Sequence, residues 1–293
     1  MRPLLLAVAV IAAVSGINAQ AKPPAEIMPV LPPPAMADVA QSAAESPIDR
    51  ILAGDWRSDG NKARDQYRHP RETLAFFGVT PNQTVIEIWP GGGWYAEVLA
   101  PLVRDGGSYI GAIPAPAKTG DSGARTERDN QKLRDLFAAR SDVFGKAKLI
   151  EVDKDAPVLG AANSADVVLT FRNAHNWVMA GNEQVMFKAF FDVLKPGGTL
   201  GLVDHRAKPD QPPAEMKSSG YLPEAYVIKL ATAAGFELAE KSEINANPRD
   251  TKDYPDGVWT LPPTLAKGDQ DRAKYLAIGE SDRMTLRFTK PVK

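Results

Sequence analysis

The stretch Thr84-Val85-Ile86-Glu87-Ile88-Trp89-Pro90-Gly91-Gly92-Gly93-Trp94-Tyr95-Ala96-Glu97-Val98-Leu99 constrains the fold more than any other. It reads as a buried strand ending in an acid, a glycine turn, and the start of a helix. Glycines there allow positive φ and close approach of a ligand to the backbone. The helix that follows presents free N–H groups to the crevice beside it. A nucleotide-like cofactor would sit at such a turn, although three glycines also make an ordinary loop.

From residue 84 onward, strands and helices alternate. Val85 to Ile88, Ser108 to Ile113, Leu149 to Val152, Asp166 to Thr170, Thr199 to Val203 and Phe236 to Glu240 read as short apolar strands. Met284-Thr285-Leu286-Arg287-Phe288 alternates strictly, as an antiparallel last strand would. Between them, Trp94 to Val103 and Ala124 to Ala139 read as helices. Met186, Ala189, Phe190, Val193 and Leu194 recur at helical spacing before the breakers Lys195-Pro196-Gly197-Gly198. A further helix spans Pro223 to Ala234, with Gly235 as its stop. This order implies an α/β fold, a doubly wound and mostly parallel sheet covered on both faces. Ligands of such sheets bind beyond the carboxyl ends of the strands, where strand order reverses.

The N-terminus reads differently. An arginine, the apolar run Leu4 to Val14 and the small-x-small site Ala19-Gln20-Ala21 match a secretory signal peptide over residues 1–21. Residues 22–46, which include Pro32-Pro33-Pro34, read as a Pro/Ala-rich linker. The folded domain is then 47–293, and the mature protein is expected in the periplasm or secreted. The chain has no cysteine, which excludes disulfides, thiolate catalysis and Cys-ligated zinc. Its net charge of −1, with mixed signs, argues against nucleic acid as a partner. No second apolar run is long enough for stable membrane insertion. Between residues 55 and 77, a charged stretch with several arginines reads either as solvated surface or as a lid over the cleft.

Two of the three histidines follow strands directly, His175 after the fourth and His205 after the fifth. Their neighbours include Arg172, Asn173, Asn176, Asp204 and Arg206. Histidine suits a general base near neutral pH, and Asp204 could orient or charge His205. His175, His205 and Asp204 are also a conceivable metal set, which their spacing does not demand. Trp89, Trp94, Tyr95 and Trp177 place aromatic rings on the same loops, suited to adenine stacking or to a cationic centre. The bland alternative is that the polar groups cap helices and the rings fill the core.

The order of these motifs resembles class I S-adenosylmethionine-dependent methyltransferases. Val85 to Leu99 looks like their first motif, and Ser164-Ala165-Asp166-Val167-Val168-Leu169 resembles their fourth strand. Val193-Leu194-Lys195-Pro196-Gly197-Gly198-Thr199-Leu200 closely matches their turn before strand five. More narrowly, Arg172-Asn173-Ala174-His175-Asn176-Trp177 and Val203-Asp204-His205-Arg206 resemble a group of predicted exported bacterial methyltransferases. The resemblance covers about residues 47 to 293 and implies a Rossmann-like, seven-stranded sheet of order 3-2-1-4-5-7-6.

It further implies S-adenosylmethionine as cofactor, a small-molecule substrate, and methyl transfer as the reaction. Glu87 corresponds to the motif-one acid, and Gly91 and Gly93 to its last two glycines. Gly92, Tyr95 and Asn173 complete the expected cofactor contacts, and His175, His205 and Asp204 the expected catalytic set. Asn173 and Arg206 would position the acceptor. Two departures stand out: Trp89 occupies the first glycine position, and strand two ends Gly111-Ala112-Ile113-Pro114 without the acid that would hold the ribose. Asp153 or Asp155 could serve the adenine side. These departures admit two other readings, an extracytoplasmic ligand-binding protein that kept the fold, or a metal-assisted enzyme of different chemistry.

Overall fold

Seven strands form one sheet of order β3-β2-β1-β4-β5-β7-β6 in the computed structural model, which describes residues 46–292. The strands are β1 (Thr84–Ile88), β2 (Ser108–Pro114), β3 (Lys148–Val152), β4 (Ala165–Phe171), β5 (Leu194–His205), β6 (Glu237–Ser242) and β7 (Arg283–Thr289). The first five pair in parallel, while β7 runs antiparallel to both β5 and β6. The order expected from the resemblance is the order observed. The signal-peptide reading of residues 1–21 and nearly all of the linker reading lie outside the described residues.

Side chains alternate across the sheet, so each strand supplies both faces. Ile86, Ile88, Val168, Leu200, Leu202 and Leu286 face one way, into a cluster with Trp177, Phe187 and Phe190 from the helices Ala174–Ala180 and Glu183–Val193. Val85, Val167, Leu169 and Val203 face the other, against Leu99 and Val103 of the helix Ala96–Val103 and Leu133 and Phe137 of Asp121–Ala139. Gly201 is needed on this second face, where an added Cβ would meet the Phe77 ring at 2.7 Å and Leu169 at 2.6 Å.

Among the described residues, several short helices escape the sequence pattern, including Pro213–Ser219, Arg272–Ile278 and Ala174–Ala180. Residues Ala174–Ala180 form a short helix where the sequence suggests a loop. Its first-turn N–H groups need acceptors, and the carboxylate of Asp204, 29 positions away, accepts from the His175 N–H at 3.1 Å. Among the described residues no helix is long and apolar enough to cross a membrane.

Candidate functional site

Strand order reverses between β1 and β4, so the chain segments leaving these two strands bound a crevice. The glycine turn leaves β1, and Arg172-Asn173 leaves β4. Two non-glycine residues take left-handed backbone there, Trp89 at φ 50° and Arg172 at φ 62°. Each such residue costs about 1 kcal/mol or more and marks a place where the surrounding structure dictates the path. Trp89 thus keeps a glycine-like backbone at the position of the missing first glycine. Its ring is turned onto Trp177, edge to face at 5.6 Å, rather than lost to solvent.

The three glycines divide the work. A Cβ at Gly91, whose φ is 58°, or at Gly92 would meet nothing within 4 Å, so both face open space. A Cβ at Gly93 would lie 2.9 Å from Leu133, so this glycine serves helix packing instead. Asn173 is spent largely on the scaffold: its amide donates to the Ile88 carbonyl at 2.8 Å and the Trp89 carbonyl at 3.3 Å, tying β4 to β1. Tyr95 stacks on Phe171 with centroids 3.5 Å apart and donates its hydroxyl to the Arg68 carbonyl. It walls the crevice.

Glu87 is buried under the turn, where the Tyr109 hydroxyl donates to Oε2 at 2.7 Å. Burial pushes its carboxyl up to about 8, against the opposing pull of that hydrogen bond and of the Arg68 charge. Gly111 lies beside this pair, where a Cβ would clash with Leu149 at 2.7 Å and crowd both the Tyr109 hydroxyl and Pro90 at 3.3 Å.

The charged stretch before β1 is no mere solvated surface. Its helices Asp59–Lys62 and Asp65–Arg68 reach the crevice, with Arg57 and Arg68 buried. The Trp94 indole donates to the Asn61 carbonyl at 2.8 Å, and the Arg68 guanidinium lies 4.7 Å over the Trp94 ring. The resulting cleft, about 180 Å³, is lined by Asn61, Arg64, Arg68 and Trp94 on one side and by Glu87, Gly91, Gly92, Arg172 and Asn173 on the other.

The two histidines line neither wall of this cleft. They sit beside it, buried together, with ring centroids 4.9 Å apart and the Trp259 ring 6.2 Å from His175. Asp204 orients His175 rather than its chain neighbour: Oδ1 accepts from His175 Nδ1 at 2.9 Å, and His205 contributes only its backbone N–H, at 2.7 Å. A carboxylate accepts only, so in the neutral ring Nδ1 carries the His175 proton and Nε2 keeps its lone pair. His205 instead shares a hydrogen bond of 2.5 Å with the Ser281 hydroxyl. Burial, then the neighbouring His175 and Arg172, hold its pKa well below the ordinary histidine value.

Ligand atoms of His175, Asp204 and His205 all lie within 4.8 Å of one another, a spacing a metal ion could use. The Asp204 oxygens already accept three N–H groups, however, which favours an orienting role. Arg206 is drawn off to the sheet edge, where Asp282 and Glu243 take its guanidinium at 2.6–3.0 Å. Expected to position an acceptor, it instead locks β5 to β7. Asp153 and Asp155 are exposed after β3, and Asp153 accepts from the Asp155 N–H.

Sequence spacing gives no hint of one group, a set of arginines gathered from three distant segments. Arg64 donates to Glu280 at 2.6 Å, Arg68 faces the same carboxylate at 3.4 Å, and Arg283 closes on it from β7. Arg172 stands opposite across the cleft. These charges hold the Glu280 carboxyl far below its usual range despite burial.

No protein-family model matches this chain, and no curated protein matches it by sequence. Solved structures do. A SAM dependent methyltransferase from Aquifex aeolicus aligns with 78% of this chain and 93% of its own, at 13% identity and a TM-score of 0.51. The [4+2]-cyclase SpnF aligns with 82% of this chain and 86% of its own, at 16% identity and a TM-score of 0.58. Identities so low speak for architecture alone, and the name of the second shows that this architecture is not tied to one reaction. What the sheet order and these neighbours establish together is the Rossmann-like fold of class I S-adenosylmethionine-dependent methyltransferases.

Proposed function

We propose that the chain is an S-adenosylmethionine-dependent methyltransferase acting on a small molecule. The observation that carries this reading is the open cradle at Gly91 and Gly92, set at the β1/β4 reversal of a methyltransferase-order sheet. The cradle fits the amino-acid and sulfonium end of the cofactor, with Glu87 beneath and Asn173 and Tyr95 as walls. The ribose end finds no carboxylate on β2, which ends at Pro114. The cleft is also smaller than the ~300–1,000 Å³ of common small-molecule sites. Seating the cofactor therefore calls for the Asp59–Arg68 helices to yield.

When bound, S-adenosylmethionine supplies an electrophilic methyl group on a sulfonium. Displacement at that carbon needs an aligned nucleophile, so positioning contributes much of the acceleration. His175, beside the cleft with Nδ1–H held by Asp204, offers Nε2 as acceptor for the proton a hydroxyl or amine gives up, a role that requires the cleft to widen onto it as the cofactor seats. His205 stays neutral beside it. We read Trp259, packed on His175, as cover that limits water around that base.

A second reading, a ligand-binding protein that kept the fold, is favoured by the small cleft and the missing ribose carboxylate. In either reading the export signal over residues 1–21 would carry the domain out of the cytoplasm. Calorimetric titration of S-adenosylmethionine and S-adenosylhomocysteine into metal-stripped protein separates the two. Micromolar binding is expected, and no binding at millimolar ligand would remove the methyltransferase reading.

A further inference from the structure

Four arginines gather at the cleft. Arg64, Arg68 and Arg172 line it, and Arg68, Arg172 and Arg283 line a void of about 10 Å³ directly behind. One carboxylate, Glu280, faces this group within ion-pair distance. Its two oxygens cannot satisfy so many donors. The Nη2 atoms of Arg64 and Arg68 are buried without a partner, and Arg68 as a whole is only 5% exposed. The Arg172 guanidinium has no hydrogen bond or ion pair among the described residues.

Unpaired guanidinium N–H groups that converge on one space are complementary to an oxyanion, since the planar fork matches carboxylate and phosphate oxygens two at a time. Mutual repulsion sharpens the point. Burial, Arg283 and Arg64 bring the Arg172 pKa down to about 10, and burial and Arg172 lower that of Arg68, so neighbouring arginines oppose the charge on each. An anion placed between them would relieve both. Bound S-adenosylmethionine adds net positive charge, because its sulfonium and ammonium outweigh its single carboxylate, so even with that carboxylate on one arginine the cluster stays under-neutralised.

We propose that Arg64, Arg68 and Arg172 form an oxyanion site that recognises a carboxylate or phosphate group on the methyl acceptor. The word acceptor rests on the methyltransferase reading, whereas the oxyanion site rests on the arginines alone. An acidic acceptor would also offset the positive charge that the cofactor brings, so the two ligands should bind with positive coupling.

The test uses inorganic phosphate as probe, titrated by calorimetry into the full chain at constant ionic strength set with chloride. Phosphate is expected to bind, and Arg172→Asn to weaken it about tenfold or more by removing a charge-assisted contact. Asparagine tolerates the left-handed backbone of this position, and Arg64→Gln on a different element serves as the second variant. Phosphate is also expected to tighten S-adenosylmethionine more than the sulfonium-free S-adenosylhomocysteine. No heat above the chloride control, or phosphate affinity in both variants unchanged from that of the natural chain, overturns the site. Phosphate competing with S-adenosylhomocysteine, but not with 5′-methylthioadenosine, would assign the arginines to the cofactor's own carboxylate and overturn the acceptor assignment. Phosphate binding without binding of either nucleoside would leave the oxyanion site standing and remove the methyltransferase reading.

Discussion

Adjacent glycines in one turn have opposite tolerances, which makes them separable probes. Gly92 has ordinary φ and open space around its missing Cβ, so Gly92→Ala should leave stability within about 0.5 kcal/mol. The new methyl would stand in the cradle and weaken S-adenosylhomocysteine measurably by calorimetry; unchanged affinity would place the ligand elsewhere. Gly93→Ala should do the reverse, costing ~1–3 kcal/mol in denaturant unfolding through its positive φ and the Leu133 clash. For the base, Asp204→Asn retains shape but no longer requires the Nδ1–H tautomer of His175. Methyl transfer should fall roughly 10²–10⁴-fold, with cofactor affinity little changed. A variant with full activity would leave His175 without a role in proton transfer. Both histidines and Asp204 were visible in the sequence as polar residues at strand ends. Their pairing was not, because a side chain's partner depends on strand register: Asp204 turns across the sheet to His175 instead of along the chain to His205.

At the level of elements, the apolar strands and long amphipathic helices were legible because burial on both faces forces a continuous or periodic pattern. The short helix Ala174–Ala180 was not, because its first turn is capped by a residue from β5 and so leaves no local signal. A buried lysine illustrates the same dependence on distant chain. Lys290, 9% exposed after β7, donates Nζ to the carbonyls of Phe191 and Leu194 at 2.7 and 2.8 Å and to the Asn163 side chain. It thereby closes the C-terminus of the helix Glu183–Val193 and the start of β5, where the Lys195–Gly198 turn shifts the register. Positive charge at that end also suits the helix dipole. Lys290→Met fills similar volume but strands these acceptors, so chemical denaturation should show a loss of ~1–3 kcal/mol. A smaller loss would mean that water replaces the ammonium there.

Across the whole molecule, buried ionisable groups from both halves of the sheet set how stability depends on pH. Glu87 binds its proton up to about pH 8 in the folded chain but only to about 4.3 when unfolded. Between those values the native state holds the extra proton, so stability falls as pH rises, by at most ~1.4 kcal/mol per unit. His205 acts oppositely. Its folded pKa lies below the unfolded value of about 6.5, so the unfolded chain gains a proton first and stability drops as pH falls below that point. Glu280, held low by Arg283, Arg68 and Arg64, keeps its contribution until pH falls below the ordinary carboxylate range. Below pH 6.5 the Glu87 and His205 slopes oppose each other, whereas from 6.5 to 8 Glu87 stands alone of the three. The thermal midpoint should therefore decline from pH 6.5 to 8 in the natural protein. Glu87→Gln, which still accepts the Tyr109 hydroxyl, should abolish that decline and leave the loss below pH 6.5 in place. If the variant declines as steeply as the natural chain, Glu87 ionises in the usual range, and the pocket beneath the glycine turn is wetter than its burial implies.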